Sequence, residues 1–293
     1  MNKILYLQQS YGKLPKQGSP EWLNARKLLF GGSEVGTVLK NSLKNKDKAY
    51  GLIKNKAKQI NDINKLYCWW GQVFECVAKL WLHHSKKIEL YEFGCIPCAN
   101  LPIGYSPDGI FINPDNKEEL ILLEIKCPYL RNVNDNTCVK PIYKEQIQTG
   151  MHILPCNTTL FLQCKFRRCL KDQLDRVTEY DRKVHKEGKN ILPQKELFSG
   201  CLYWKGDHNI KEDKEDRMPD IILTEFIDPH YRDVCSNYKT GTIMYFKCFF
   251  IKEDIFHRNL NWRKKNENLL WSRYNDLLNE IKNNETDNDI EMK

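Results

Sequence analysis

The spacing of apolar positions changes several times along the chain, and each change predicts an element. Residues 66–82, from Leu66 to Leu82, are apolar nearly all round, the pattern of a buried helix over 66–84. Short β-rich runs follow at 88–94, 99–112 and 119–127. A further one lies at 158–166, expected beside 119–127, and a late one at 242–252. Tyr143, Gln146, Ile147, Gly150 and Met151 recur at helical spacing, which predicts a helix over 142–153 with Gln146 on its inward stripe. Ser19-Pro20 places a cap and a first-turn proline ahead of a helix over 20–29 that stops at Gly31-Gly32, and Ser33 is expected to cap the next helix. Leu270, Tyr274, Leu277 and Ile281 share one stripe of a closing helix over 262–282, and the tail 283–293 is expected to be disordered.

The order beyond the N-terminal helices is α-β-β-β-α-β, an α/β (α+β) arrangement. A length of 293 residues admits one elaborated domain or two small ones, and one is favoured. Its core is expected over 20–166 and 242–254, around an insertion at 167–240. The insertion is dense in charge, including the run Lys211 to Arg217. It could clamp DNA or hold a partner, and a solvated excursion is the default.

Candidate chemistry concentrates in Ser106-Pro107-Asp108-Gly109 and Leu123-Glu124-Ile125-Lys126-Cys127-Pro128. Alternate residues of a strand share a face, so Glu124 and Lys126 point one way while Leu123, Ile125 and Cys127 point into the core. A carboxylate and an ammonium on a buried strand carry a stability cost, tolerable if a cation and a substrate phosphate engage them. Hard carboxylate oxygens suit Mg²⁺ or Mn²⁺, and Lys126 would orient water or stabilise developing negative charge. The bland alternative is a Pro-Asp-Gly turn beside a surface Glu124–Lys126 ion pair. Glu75 lies within the apolar helix, where Gly71, Ala78 and Leu82 offer no countercharge. A metal could answer it, or Lys79 at i+4. The glycine pair before Ser33 suits a terminal phosphate with Arg26 as a fork, unless the glycines merely turn the chain. An inward Gln146 calls for a phosphate oxygen or a backbone partner in the core.

In this order and spacing the residues resemble the PD-(D/E)xK nucleases, in the YqaJ-type phage and viral recombinase branch with lambda-exonuclease-like and viral alkaline exonucleases. Trp22, Arg26, Gly32-Ser33-Glu34-Val35, Gly71 with Glu75, and Tyr143 to Gln148 with Met151 extend the resemblance over 20–165, and it resumes weakly near 243–254. It implies a central mixed β-sheet flanked by helices, the restriction-endonuclease-like αβββαβ core. It implies Asp108 and Glu124 as metal ligands, the Ile125 carbonyl as a further one and Glu75 completing the site, with Lys126 catalytic beside them. Arg26, Ser33, Ser106 and Gln146 would bind a 5′-phosphate. The implied activity is Mg²⁺-dependent (or Mn²⁺-dependent) digestion of 5′-phosphorylated double-stranded DNA, 5′ to 3′, leaving 3′ overhangs for recombination, repair or viral genome processing. An endonuclease or RNA-cleaving enzyme on the same core, and a nucleic-acid-binding protein with a dead core, stay open. The resemblance also implies a single-strand annealing partner, and it leaves monomer and ring-shaped homo-oligomer undecided.

Composition adds little but agrees. A net charge of +8 and a pI near 8.8 suit a polyanionic partner, and eight lysines between Lys40 and Lys65, against Asp47 and Asp62, could draw in duplex DNA or form a solvated loop. Twelve cysteines raise the question of disulfides. No apolar run is long enough to span a membrane and Met1-Asn2-Lys3-Ile4-Leu5-Tyr6 lacks a secretory h-region. Reduced thiols and an intracellular protein are therefore expected, in host cytoplasm or nucleus if viral. Cys95-Ile96-Pro97-Cys98 has zinc-like spacing without a clean second pair, and His83, His84 and His152 have no ligand partners in sequence. No Ser-His-Asp spacing or phosphate-binding Gly-Lys loop is present.

Overall fold

Helices cover both faces of the sheet that carries the Glu-x-Lys strand, and its side chains sort accordingly. A computed structural model of the chain describes residues 3–40, 43–58, 65–131, 133, 138–174, 176–184, 198–205, 220–223 and 241–291. The N-terminal part contains helices α1 (Lys3–Tyr11) and α2 (Pro20–Ala25), strand β1 (Phe30–Gly31), and helices α3 (Gly32–Val38), α4 (Leu43–Ala57) and α5 (Lys65–Lys86). Strands β2 (Ile96–Pro97), β3 (Ile103–Tyr105), β4 (Gly109–Ile112) and β5 (Leu120–Lys126) come next, followed by helix α6 (Pro141–Ile153) and strand β6 (Thr158–Arg168). Helix α7 (Glu179–Val184), strands β7 (Phe198–Lys205), β8 (Asp220–Leu223) and β9 (Gly241–His257), and helix α8 (Trp262–Glu291) complete the chain.

The main sheet has the order β4-β5-β6-β9-β7-β8, with β5 and β6 parallel and the other pairs antiparallel. Parallel neighbours need a crossover, which α6 provides. On one face, Trp70, Val73, Phe74, Val77 and Trp81 of α5 pack on Leu123, Ile125, Leu162 and Phe166. On the other, Ile147 and Met151 of α6 pack on Tyr105, Leu122 and Phe161. A third cluster joins α3, α4 and α8 through Val35, Ile53, Leu270 and Leu277. This is the mixed α/β architecture that the apolar pattern predicts.

Several expectations change in detail. The Glu124 face of β5 is charged only toward its C-terminal end, because Leu120 and Leu122 on the same face are buried against α6. Helix α5 is amphipathic, not buried all round: Gln72 and Tyr67 are exposed. The expected strand 88–94 is reduced to one bridge between Tyr91 and Ile110. The expected strand 99–112 breaks at Ser106-Pro107-Asp108, where Pro107 has no N–H to give a ladder. Its halves enter different sheets, β3 joining β1 and β2 in the order β1-β3-β2. Helix α2 ends at Ala25, short of residue 29, and α8 runs to Glu291, over most of the expected disordered tail.

The insertion is more than an excursion where it is described. Strands β7 and β8 extend the main sheet, and residues 171–184 are fastened by the fully buried pair Asp181 and Lys247, at 2.6 Å, with Arg167 also bonded to Asp181. The charge run 211–217 lies outside the described residues. Among the described residues the cysteines are free and no helix is long and apolar enough to cross a membrane.

Candidate active site

The break between β3 and β4 places Asp108 at the head of a hairpin whose other strand is β5. Asp108 is buried, and its Oδ2 accepts the Ile125 N–H at 2.6 Å, which locks the carboxylate against the β5 backbone. Glu124 is fully buried, and both of its oxygens are engaged. Oε2 accepts the Tyr105 hydroxyl at 2.5 Å, while Oε1 accepts the Gln146 amide at 2.6 Å and the Lys126 ammonium. Gln146 does lie on the inward stripe of α6, but its amide meets a carboxylate rather than a backbone group. Glu75 reaches the same place from α5 and pairs with Lys79 at 2.8 Å, the i+4 partner foreseen as the simpler explanation of its burial. Lys79 also holds Glu92 at 2.7 Å.

These carboxylates disturb one another. Burial, reinforced by the charge of Asp108, pushes Glu124 up to about 7 despite Lys126 and Tyr105. Burial and Asp108 likewise push Glu75 up to about 7, against the pull of Lys79. Burial alone would lower the Lys126 ammonium, but Glu124 and Asp108 outweigh it and hold Lys126 above its ordinary value.

The opposite side is cationic. Arg26, which ends α2, lays its guanidinium over the Trp22 ring at 4.3 Å. The Arg26 guanidinium also lies against Gly31, where a Cβ would come within 1.9 Å of Nη2 and push it aside. The Trp22 indole N–H donates to Ser106 Oγ at 2.9 Å. Ser33 is the second residue of α3 and not its cap. Gly31 is the cap, and its N–H is taken by Glu34 Oε2 at 2.6 Å. That backbone donor is thus already used and is not open to a phosphate. Glu34 also gathers Lys56 at 3.1 Å and Arg26 at 3.8 Å.

Arg26, Ser33, Glu75, Ser106, Asp108, Lys126 and Gln146 line one cavity of about 170 Å³. Glu124 and Ile125 lie on β5, buried beside it. Sequence reasoning missed Tyr105 as the donor to Glu124, Glu34 as the organiser of Arg26 and Lys56, and Gln17 at the cavity wall. For Tyr105 a signal existed: it precedes Ser106 on a strand next to the acidic motif. For Glu34 the signal was its third place in α3, a capping position.

The donor set fits a hard divalent cation, since Asp108, Glu124 and Glu75 offer only oxygen, and the charge of Asp108 adds to the cost of both glutamates. Among the described residues, no three Asp, Glu, His or Cys side chains stand together as a ready ligand cage. Cys95 and Cys98 are among the described residues that form no such group.

The sequence pattern now has a counterpart in known proteins. Residues 21–160 match the YqaJ-like viral recombinase domain, and over that stretch the chain is similar to that family. No match was found among curated protein sequences. An alkaline exonuclease (LHK-Exo) from Laribacter hongkongensis shares the fold, with TM-score 0.50 and 16% identity over 92% of this chain and 97% of that one. The same exonuclease in complex with dAMP aligns with TM-score 0.49 and 16% identity over 92% and 97%. A phage related exonuclease from Haemophilus somnus 129PT aligns with TM-score 0.46 and 15% identity over 88% and 99%.

Proposed function

We propose that this nuclease is a divalent-metal-dependent exodeoxyribonuclease that grips a 5′-phosphorylated end of double-stranded DNA and digests that strand 5′ to 3′, leaving a 3′ overhang. The observation that carries the reading is the single cavity in which Arg26, Ser33 and Ser106 face Asp108, Glu75 and Lys126. A site that only cut phosphodiesters would need the second group; the first adds a cationic and hydroxyl-lined seat for a terminal phosphate.

Asp108 and Glu124 would hold Mg²⁺ or Mn²⁺, with the Ile125 carbonyl and Glu75 as further ligands. Such a cation acidifies water and offsets the negative charge that develops on the reacting phosphate. The chain's own residues do the rest. The Ile125 N–H and Tyr105 fix the carboxylates, and Lys126, held as an ammonium, donates to the oxygen on which charge builds. Gln146, already bonded to Glu124, links the phosphate seat to the acidic group. The lysines of α4, of which Lys56 reaches Glu34, offer a basic approach for the duplex.

The test compares blunt linear duplexes bearing a 5′-phosphate or a 5′-hydroxyl with a closed circle, with Mg²⁺ and with a chelator. Faster loss of the phosphorylated duplex, no cutting of the circle and no cutting in chelator are expected. Equal rates on the two linear duplexes would reject end recognition, and cutting of the circle would reject the exonuclease mode.

A further inference from the structure

Two groups of the phosphate seat lean on one residue to which the reading above gives no role. Trp22 of α2 is 8% exposed and lies at the cavity wall. Its indole N–H reaches across the sequence to Ser106 Oγ at 2.9 Å, and its ring face carries the Arg26 guanidinium at 4.3 Å. The backbone N–H of Trp22 is itself held by Ser19 Oγ at 3.2 Å. Gly31 lies close by, since a Cβ there would come within 1.9 Å of Nη2, so the guanidinium sits between the indole and Gly31.

The chemistry of these contacts is directional. An indole N–H can only donate. By filling a lone pair of Ser106 Oγ, it leaves the hydroxyl proton to be given elsewhere. Cys95, the other side chain bonded to Ser106, is a weak acceptor, and an anionic oxygen would outcompete it. The ring acts on Arg26 in a comparable way. Stacking on the face of a guanidinium fixes its plane and keeps its N–H edges for an oxyanion.

We propose that Trp22 is the positioning residue of the 5′-phosphate seat, setting the donor direction of Ser106 and the plane of Arg26 together. Recognition of a terminal phosphomonoester then depends on a side chain that need not touch it. This inference rests on the end-recognition reading, and its test separates the two.

Trp22→Phe keeps an aromatic ring and removes the N–H; Ser106→Ala removes the hydroxyl. The probes are one blunt duplex with a 5′-phosphate and the same duplex with a 5′-hydroxyl, titrated by anisotropy in chelator. For the unaltered protein the phosphorylated duplex is expected to bind more tightly. Trp22→Phe should shrink the ratio of the two Kd values by about fivefold, the worth of one hydrogen bond. In the Ser106→Ala background it should shrink the ratio no further. Trp22→Leu, which also removes the ring face, should shrink it more than Trp22→Phe. A purely structural role would weaken both duplexes alike and leave the ratio unchanged. A Trp22→Phe protein with the original ratio, or a double variant whose loss is the product of the single losses, overturns the inference and leaves end recognition standing. A ratio of one in the unaltered protein overturns both.

Discussion

The two walls of the cavity are held together in opposite ways. On the acidic side, Asp108 lines the cavity at the head of β4 and Glu124 lies buried on β5 behind it, fixed by a backbone N–H, a tyrosine and a glutamine, and the charge of Asp108 adds to the cost of Glu124. On the cationic wall, Arg26 lines the cavity and Glu34 stands behind it with Lys56, where the charges are partly compensated and the three side chains keep 11–24% exposure. A wall that is costly to fold and rigidly built is where chemistry is to be expected, because unfavourable charge persists there only by structural enforcement. A compensated, partly exposed wall is suited to recognition, whose free energy is modest and whose parts can yield to a ligand.

The largest expected effects break this contrast most directly. Lys126→Ala on the acidic wall should lower kcat by roughly 10³-fold and leave the Kd for a 5′-phosphorylated duplex in chelator within a few-fold of the original, since the group acts where charge develops. Arg26→Ala on the cationic wall should do the reverse, raising KM for phosphorylated ends by about 10-fold or more with a smaller change in kcat. Single-turnover and steady-state rates on the same duplex check both. If Lys126→Ala weakens binding while kcat survives, the division of labour between the walls is wrong.

A smaller effect follows from the cost of the acidic wall. The folded carboxyl of Glu124 titrates near 7, above its ordinary value of 4.5, so the native state holds a proton that the unfolded state has released between those limits. The associated stability is fully present below about 4.5 and is lost as pH rises through about 7. Glu124→Gln removes that titration. In chelator, the difference in unfolding free energy between variant and original protein should therefore move in the variant's favour between pH 5 and pH 8, by on the order of 2 kcal/mol. Urea melts at the two pH values measure it. A difference independent of pH would mean that Glu124 is not strained in the folded protein.

The same contrast explains what could be read from the sequence. The acidic side includes a strand whose alternation puts Glu124 and Lys126 on one face, so that pairing was legible from spacing, while Asp108 was picked out by its turn motif. Helix α6 likewise declared Gln146 by its period. The cationic wall depends on contacts that no local pattern encodes: the bond from Trp22 to Ser106 spans 84 positions, and Glu34 meets Lys56 across 22. The run over 99–112 was read as one strand on its β-rich residues, yet Pro107 already marked the point where it changes sheets. Strands β7 and β8 were hidden because β7 gains its place by pairing with β9, whose partner residues lie 36 to 50 positions away in sequence, and not by a strong pattern of its own.

Tyr105 gives the smallest and most local test. It is fully buried, closely packed against Gly32 and Gly150, and its hydroxyl is the donor to Glu124 Oε2 at 2.5 Å. Burial first, and then the neighbouring Glu124 and Asp108, hold the phenol well above its usual range, so it stays a donor throughout the working pH. Tyr105→Phe keeps the ring and its packing and leaves a buried carboxylate oxygen without this partner, at about 1–2 kcal/mol. The loss should be larger at pH 8, where Glu124 is charged, than at pH 5, where a proton on the carboxyl relieves the missing bond. Urea melts in chelator, read for midpoint at constant m-value, give both numbers. An equal loss at the two pH values would place the tyrosine's contribution in packing alone, and the enforcement of the acidic wall would then fall to the Ile125 N–H, Gln146 and Lys126.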